Sequence, residues 1–430
     1  MHVTFLNRQA LHLRPDPARV IVRPFRPATE PRDLNPTDKT RANHIVERVL
    51  RLDPAAAARQ LADVLENFQG RHRNLLEAFE LRADEMEDAL AAHCTFSGVQ
   101  RQLIGAYFMH EYSFEASALF NPSIVPHPDQ SGTPAGGLRF ILSLRAVGEG
   151  HISSLTFRAG TAAADGSIAI EPTARLASTP RLGNRVPGPI GDDVEVVFDP
   201  VQDISERVIF PVTESQSHGI EDARFVAFRD GARTTYYATY TAYKGTAIRS
   251  ELIETSDFLS FRMSPLQGTA TRNKGMALFP HRIDGRFAMI ARQDNENLHL
   301  VYSEDLYRWD GGQAIMKPQF PWEFVQIGNC GSPIELDEGW LLLTHGVGPV
   351  RKYSIGAVLL DKQDPSKVLA RSSEPLLQPE PAEREGYVPN VVYTCGAMRH
   401  NEQLILPYAV SDSFSNFATL KISALLQALS

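Results

Sequence analysis

Two adjacent carboxylates, Glu221 and Asp222, stand immediately before a strand-like run that begins at Arg224. Paired acids at the end of a strand can face a cleft, where one of them can donate a proton to a leaving group. The run that follows contains four tyrosines, whose flat faces are of the kind on which sugar rings stack. They are Tyr236, Tyr237, Tyr240 and Tyr243. Acids beside aromatic side chains indicate carbohydrate chemistry.

The elements that position these residues are predicted to be β-hairpins. The apolar runs Arg224–Phe228 and Thr234–Tyr243 flank a turn sequence, Arg229-Asp230-Gly231-Ala232. The same strand–turn–strand pattern recurs roughly every 55 residues, with turns at Asp284-Gly285, Glu338-Gly339 and Arg399–Glu402. An earlier copy is predicted to begin at Phe120. Several short strands per repeat are typical of propeller blades, so the sequence predicts an all-β fold, a five-bladed β-propeller. A β-sandwich with similar hairpins is the alternative.

The N-terminal quarter of the chain has a different pattern. Residues 1–36 are rich in Arg and Pro and are predicted to form an arm. Helical spacing begins after Asn35-Pro36-Thr37, and further helices are predicted from Asp53, from about Asn74 and over Gly98–Tyr107. We therefore expect an N-terminal arm and helical extension over residues 1–107 and the propeller catalytic domain over residues 108–430.

Composition excludes several classes of protein. The 430 residues are 43% hydrophobic and 22% charged, with a net charge of −8. The sequence has no basic cluster with interleaved aromatics, so no nucleic-acid partner is expected. It has no apolar run of membrane-spanning length and no signal peptide, so we expect no membrane association and a cytoplasmic location. Three scattered cysteines, Cys94, Cys330 and Cys395, are too few for a disulfide framework or a zinc site. No metal or other cofactor is expected.

Several segments resemble one enzyme family. Glu221-Asp222-Ala223-Arg224 resembles the Glu-Asp-Pro-Arg box of glycoside hydrolase family 130, the five-bladed mannoside phosphorylases and β-mannosidases. The resemblance extends from about Phe108 to the C-terminus. It also covers Asn121-Pro122-Ser123, Tyr240–Tyr243, Asn273–Pro280, His345-Gly346-Val347, Val388–Tyr393 and Ser411-Asp412. The N-terminal helical region resembles an extension carried by a hydrolytic subgroup.

The resemblance implies roles for particular residues. It implies that Asp222 is the general acid, acting through a hydroxyl of the bound mannose on the leaving glycosidic oxygen. A structural ion pair between Asp222 and Arg224 is the alternative role for this carboxylate. Further positions are implied contacts to the sugar at the mouth of the propeller. They are Asn121, Arg145, Arg224, Tyr240, His345, Asn390 and Asp412. His345 fits a core histidine equally well.

The attacking group decides between two reactions. A phosphorylase must hold a phosphate dianion with several converging cationic donors. Family phosphorylases have a basic and amide pair after Tyr-Thr-Ala-Tyr, whereas this chain has Lys244-Gly245-Thr246-Ala247, and carboxylates follow Arg292. This departure favours hydrolysis, with Glu296 as the first candidate base and Glu149 and Glu254 as rivals. Lys274 and Arg292 remain available to hold sugar hydroxyls or an anion.

The sequence thus predicts an inverting, exo-acting β-mannosidase that hydrolyses β-1,2-linked mannosides in a mannose-containing oligosaccharide. The first alternative is a β-mannoside phosphorylase that releases α-mannose 1-phosphate. The second is a non-catalytic, sugar-binding propeller, which would not need the acids at Glu221 and Asp222. Linkage, chain length and oligomeric state, a homo-oligomer included, are left open by the sequence.

Overall fold

The structure is a computed structural model that describes residues 6–29, 39–90, 96, 98–189 and 191–429. The chain divides into two compact units, which are considered separately. The smaller comprises Pro17–Phe114 and Arg175–Ser178, and the larger comprises the chain up to Asp16, Glu115–Ala174 and Thr179–Ser430. The division therefore falls seven residues beyond the expected boundary at 107. The segment before Pro17 joins the larger unit because strand β1 (Leu6–Arg8) pairs with a C-terminal strand.

The smaller unit is mainly helical. It contains β2 (Ile21–Pro24), α1 (Arg41–Leu50), α2 (Pro54–Asn67), α3 (Leu75–Leu90), α4 (Gly98–Tyr107) and β3 (Met109–Tyr112). The side chain of Thr40 caps α1, and the carboxylate of Asp53 accepts from the Ala56 amide at the start of α2 at 2.9 Å. The predicted start at Asn35-Pro36-Thr37 lies outside the described residues. Apolar faces meet in one core around Val46, Leu103 and Phe108.

The larger unit is built almost entirely of antiparallel strands, so the all-β prediction is confirmed for it. Its first meander is β4 (Ala118–Pro126), β5 (Leu138–Val147), β6 (Ser153–Ala162) and β7 (Ile168–Ile170). An excursion supplies β8 (Arg181–Pro187), β9 (Asp192–Val197) and β10 (Val208–Ile209). The second meander is β11 (Gly219–Asp230), β12 (Arg233–Tyr243), β13 (Ile248–Thr255) and β14 (Ser260–Pro265). The hairpin turn predicted after Asp230 is confirmed, because Asp230 pairs with Arg233.

Three further meanders complete the unit. The third is β15 (Ala277–Leu278), β16 (Phe287–Ala291), β17 (Leu298–Ser303) and β18 (Gln313–Met316). The fourth is β19 (Gln326–Asn329), β20 (Ile334–Glu335), β21 (Trp340–Val347), β22 (Tyr353–Leu360) and β23 (Val368–Arg371). The fifth is β24 (Val392–Tyr393), β25 (Met398–His400), β26 (Gln403–Val410) and β27 (Phe414–Lys421), with β1 beside β27 and α5 (Ile422–Ala428) following it.

The apolar cores lie between consecutive meanders. One cluster joins the first and second meanders through Phe157 and Phe225, and the next joins the second and third through Phe228 and Met289. Two more join the third to the fourth and the fourth to the fifth. A small cluster that contains Phe120 and Ala409 joins the fifth meander to the first. Strands such as β16 and β21 are buried along their whole length because both of their faces meet a core.

Two of the three cysteines are among the described residues. Cys330 and Cys395 are free and buried in the larger unit. Burial raises the pKa of the Cys330 thiol to about 12, so this thiol stays protonated and unreactive at neutral pH. Cys94 lies outside the described residues.

Candidate active site

A cavity of about 340 Å³ in the larger unit is lined by residues in or beside the first strand of each meander, together with residues of later strands and of the turns that follow them. Its wall is strongly polar and contains both acids and bases. The lining residues are Asn121, Arg145, Glu221, Asp222, Arg224, Lys274, Gly275, Arg292, Gln326, Gly328, Asn329, His345, Arg351, Tyr353, Val388, Val391, Tyr393 and Asp412.

Local backbone geometry turns the key side chains into this cavity. The pairing register shifts between Phe120 and Ser123 in β4 and between Glu221 and Arg224 in β11, which are bulges in equivalent strands. At these bulges Asn121 and Asp222 adopt left-handed φ values of 49° and 54°. Asn and Asp tolerate this conformation better than most residues do. The bulges therefore interrupt the alternation of side chains between the two faces of β4 and β11 at Asn121 and Asp222.

Asp222 is buried and is held by donors. The Asn121 amide nitrogen donates to its Oδ1 at 2.5 Å, and Arg145 Nη1 lies 3.5 Å from the same atom. Burial alone would raise the pKa of Asp222, but the charges of Arg145, Arg224 and Lys274 outweigh it, and the pKa of this carboxyl is lowered. Asp222 is thus ionised in the free protein.

The neighbouring acid, Glu221, completes a charged group at the cavity wall. Arg145 Nη2 donates to Glu221 Oε1 at 2.6 Å, while Lys274 Nζ lies 3.8 Å from Glu221 Oε2. Arg145 therefore bridges both acids of the box. The side chain of Arg224 instead fixes the backbone, since it donates to the Asp222 carbonyl at 3.1 Å and to the Tyr393 hydroxyl at 2.8 Å. Asp222 and Arg224 are linked through this carbonyl, and the Asp222 carboxylate stays directed at the cavity.

A third carboxylate, Asp412, lies between β26 and β27. Ser411 and Asp412 both have left-handed φ values, 47° and 48°. The Asp412 carboxyl makes no hydrogen bond to another described residue. Burial raises its pKa to about 6; Arg145, Arg351 and Lys274 oppose that rise, and the charge of Asp222 adds to it.

His345 and Arg292 are among the basic side chains of the wall that make no ion pair with a carboxylate of the described residues. His345 is 3% exposed, and burial together with the charges of Arg292 and Arg224 lowers its pKa well below the usual value, so its ring is neutral. The ring stacks on Tyr353 with 5.9 Å between centroids. Arg292 is 8% exposed, and its buried Nε has no hydrogen-bond partner. Within the described part of the chain its guanidinium makes no ion pair.

The described residues contain neither a candidate metal site nor a helix suited to span a membrane. No group of three or more His, Cys, Asp or Glu side chains there could hold a metal ion. No helix among them is long and apolar enough to cross a membrane.

The C-terminal part of the chain, residues 193–430, matches a protein-family model, Glyco_hydro_130, described as beta-1,4-mannooligosaccharide phosphorylase. This match covers more than half of the chain. The chain belongs to glycoside hydrolase family 130. The resemblance noted in the sequence is thereby confirmed.

Curated relatives in family 130 match about half of this chain. A 1,2-beta-oligomannan phosphorylase of Thermoanaerobacter sp. (strain X514) is 34% identical over 225 residues, which are 51% of this chain and 74% of that protein. A beta-1,2-mannobiose phosphorylase of Listeria innocua is 32% identical over 231 residues, 51% of this chain and 63% of that protein.

Solved structures support the fold. A complex of beta-1,2-mannobiose phosphorylase from Listeria innocua with beta-1,2-mannobiose aligns over 73% of this chain and 92% of that chain, with a TM-score of 0.54 and 21% identity. A second structure, with a TM-score of 0.54 and 18% identity, covers 73% of this chain and 87% of that chain. Its title states that the family of mannoside phosphorylases contains glycoside hydrolases that target beta-1,2 mannosidic linkages in Candida mannan.

Eight of the predicted site residues of this family 130 chain line the cavity. They are Asn121, Arg145, Asp222, Arg224, Lys274, Arg292, His345 and Asp412. Two predicted sugar contacts do not. Tyr240 is a core residue whose hydroxyl accepts from Gln216 at 2.7 Å and contacts the Glu251 carboxylate. Asn390 lies between two lining residues, and its carbonyl accepts from the Tyr353 amide at 3.1 Å.

None of the three candidate bases lines the cavity. Glu296 is exposed in a turn, where its backbone amide donates to the Asp294 carboxylate at 3.0 Å. Glu149 is exposed in the turn between β5 and β6. Glu254 lies on β13 and lines a different depression in the surface of the larger unit.

The structure adds lining residues that the sequence interpretation did not assign to the site. They are Gln326, Asn329, Arg351, Tyr353 and Tyr393, with apolar or glycine neighbours. The sequence contained a pattern from which the position of Arg351 could have been inferred. Its turn, Pro349–Arg351, joins β21 to β22 in the same way that Glu149–His151 joins β5 to β6, so these two turns are equivalent in their meanders. Tyr353 and Tyr393 belong to short runs whose facing direction the sequence does not specify.

Proposed function

We propose that this protein is a β-mannoside phosphorylase that cleaves β-1,2-linked mannosides at this cavity. Asp222 acts as the general acid, and inorganic phosphate attacks the opposite face of the sugar to give α-mannose 1-phosphate. The substrate class rests on the names of the relatives. The choice of phosphate rests on one observation, the buried guanidinium of Arg292, which lines the cavity and makes no ion pair with any described residue. A buried cation without a partner is costly unless a ligand supplies the counter-charge.

The charge balance of the cavity favours an anionic co-substrate. Five cationic side chains line it against three carboxylates. Arg145 and Arg224 are engaged with the Glu221–Asp222 box. Arg292 and Arg351 remain to hold an anion, together with Lys274, whose Nζ lies 3.8 Å from Glu221 Oε2. The ring of His345 is neutral and adds no charge to this balance. Guanidinium and ammonium groups converging on one point suit a phosphate dianion.

The same charges account for proton delivery. In the free protein the pKa of Asp222 is lowered, so the carboxylate must gain a proton before it can act as an acid. A phosphate dianion beside Arg292 and Lys274 would oppose the field of these cations and raise the pKa of Asp222. The resemblance to the family implies that the proton then passes through a mannose hydroxyl to the leaving oxygen.

We also infer that the larger unit is a five-bladed propeller. The inference is supported by the apolar clusters, which join each meander to the next and the fifth to the first. It is further supported by the cavity, whose wall draws on the first strand of each meander. Such a ring would bring side chains distant in sequence to one axis.

Hydrolysis is the second candidate reaction. One observation favours it: Asp412, with a pKa near 6, is a carboxylate in the cavity that could activate water near neutral pH. Lys244, from the stretch that departs from the phosphorylase pattern, pairs with Glu214 and lines a separate depression. We place hydrolysis second because Glu296, Glu149 and Glu254 are not in the cavity wall.

The test is cleavage of β-1,2-, β-1,3- and β-1,4-mannobiose with and without phosphate, with the products identified by NMR. We expect phosphate-dependent release of α-mannose 1-phosphate from the β-1,2 compound. Arg292→Gln should raise the KM for phosphate by about 10- to 100-fold, the loss of one or two charge-assisted hydrogen bonds. The control is Arg308→Gln, which removes an exposed arginine that pairs with Asp310. Release of free mannose at a rate independent of phosphate would reject phosphorolysis in favour of hydrolysis.

A further inference from the structure

Arg8, on the N-terminal strand β1, contacts the segment between β23 and β24, which precedes the fifth meander. Its guanidinium pairs with the carboxylate of Glu383 and with Glu380 Oε1 at 3.1 Å, and it donates to the Gln378 carbonyl at 3.0 Å. These three acceptors belong to the segment that contains the 3-10 turn Pro381–Glu383. Arg8 therefore pairs with both carboxylates of this turn.

Glu383 links Arg8 to the end of strand β26, which Asp412 follows. Its carboxylate accepts from the Tyr408 hydroxyl at 2.9 Å, and its backbone carbonyl accepts from Ser411 Oγ at 2.7 Å. The Ser411 amide donates to the Val391 carbonyl at 2.7 Å, and the Ser411 carbonyl accepts from the Val388 amide at 3.0 Å. Val388 and Val391 line the cavity. The buried Ser411 thus connects the turn to the cavity wall.

The backbone at Ser411 and Asp412 needs such support. Two consecutive non-glycine residues with φ near +48° are a conformation that persists only where the surroundings hold it. No hydrogen bond from another described residue holds the Asp412 carboxyl itself. Its position in the cavity is therefore set through the backbone and through Ser411.

We propose that Arg8 is a positioning residue for the active site, acting through Glu383 and Ser411 to hold Asp412 in the cavity. The N-terminal strand is then part of the machinery that binds the sugar. This inference rests on the proposed function only in needing Asp412 at the substrate site. It holds equally for phosphorolysis and for hydrolysis.

Removal of Arg8 should act on the site more than on the fold. The backbone pairing of β1 with β27 does not depend on the Arg8 side chain. Without the guanidinium, the nearly buried carboxylate of Glu383 lacks its cation and the turn should shift towards solvent. A displacement of about 1 Å at a substrate-contacting group can cost about 100-fold in rate.

The experiment compares Arg8→Ala and Arg8→Lys with a matched control, Arg14→Ala. Arg14 belongs to the same N-terminal segment and lies over the Phe414 ring at 4.6 Å, outside the Glu383 contacts. We expect Arg8→Ala to lower kcat/KM for β-1,2-mannobiose by about 10- to 100-fold, with partial recovery in Arg8→Lys, whose charge is kept. Arg14→Ala should retain wild-type kinetics.

A double-mutant cycle separates positioning from general destabilisation. Mannobiose binding is measured by calorimetry for Arg8→Ala, Asp412→Asn and the double variant. If Arg8 acts through Asp412, Arg8→Ala should weaken binding in the wild-type background and have little further effect in the Asp412→Asn background. Equal losses in both backgrounds would overturn the inference, as would wild-type binding in Arg8→Ala. Wild-type binding and turnover in Asp412→Asn would instead show that Asp412 is not in the substrate site, and the proposed site would fail with it.

Discussion

Asp222 and Asp412 line the same cavity with the same side chain and a similar left-handed backbone, yet their pKa values are shifted in opposite directions. Asp222 is at a bulge in β11 and accepts a hydrogen bond from Asn121. Asp412 is in the turn between β26 and β27 and accepts none from the described residues. At Asp222 burial is outweighed by the charges of Arg145, Arg224 and Lys274, with the Asn121 hydrogen bond adding to them, whereas at Asp412 burial and the charge of Asp222 outweigh the nearby cations.

The difference assigns different tasks to the two acids. When the environments of two carboxyls separate their pKa values, one can be charged while the other is neutral at the same pH. Neighbouring cations keep Asp222 ionised, and an entering phosphate would weaken their effect. This suits a general acid that is protonated only in the complex. Asp412 has a pKa of about 6 without a ligand, so its charge changes with the pH of the solution in that range.

The largest expected effect is that of Asp222→Asn. The amide keeps the shape and the contact with Arg145 but cannot donate the catalytic proton. Turnover should fall by about 10²- to 10⁴-fold, the usual contribution of general acid catalysis, while mannobiose binding changes much less. Steady-state rates and calorimetric binding measure the two quantities. Near wild-type turnover would show that Asp222 is not the general acid. The contrast between the tasks of Asp222 and Asp412 would then fail as well.

The second prediction concerns stability against pH. Asp412 has a folded pKa of about 6 and an ordinary value of about 3.9, so the folded state binds the extra proton between these values. Stability should therefore fall as the pH rises through this window. Asp412→Asn, which resembles the neutral form, should be more stable than wild type above about pH 6, by up to about 2 kcal/mol after discounting for partial exposure. The gain should disappear below about pH 4.

Asp222 should show the opposite sign. Its folded pKa is lowered, so its contribution to stability is present above the ordinary Asp value and is lost as the pH falls through the folded value. Asp222→Asn should therefore be less stable than wild type at neutral pH. Melting temperatures of both variants between about pH 4 and about pH 8 test the pair. Shifts of the same sign in the two variants would contradict the comparison.

The polar motifs predicted the positions of site residues well because their Asn and Asp residues mark left-handed backbone. Asn121, Asp222, Asn390 and Asp412 were singled out from sequence, and all four have left-handed φ values. Asn and Asp are the residues that best accept this conformation, so a motif that places them at a strand end marks a bulge or turn. Three of the four line the cavity.

Side-chain direction was not predictable in the same way. Tyr240 belongs to a run of tyrosines, but alternate residues of a strand face opposite sides, and the side that meets the neighbouring core depends on how the sheets pack. Glu296 stands in an acidic turn in which Asp294 caps the backbone amides. In the sequence, a carboxylate in such a turn has the same pattern around it as a catalytic carboxylate. Only the fold distinguishes them.

The smallest expected effect concerns the turn that carries Arg351 into the cavity. Val350 is 92% exposed with a φ of 55°, and Arg351 follows with the same φ. Unlike Asn121, Asp222 and Asp412, Val350 is β-branched, for which left-handed backbone is unfavourable by about 1–2 kcal/mol. Val350→Asn should therefore raise the free energy of unfolding by about 1 kcal/mol, measured as a small rise in melting temperature.

The matched control is Val201→Asn, since Val201 is also an exposed valine, 74% accessible, and it is not among the described residues with positive φ. This control should give no gain, because no left-handed strain is relieved there. The KM for phosphate should stay within about twofold of wild type in Val350→Asn, a free-energy difference below about 0.5 kcal/mol, because Asn accepts the same left-handed backbone and Arg351 therefore keeps its turn. A loss of stability in Val350→Asn would mean that the exposed valine packs on something at the cavity mouth, and that its strained backbone is held by that contact.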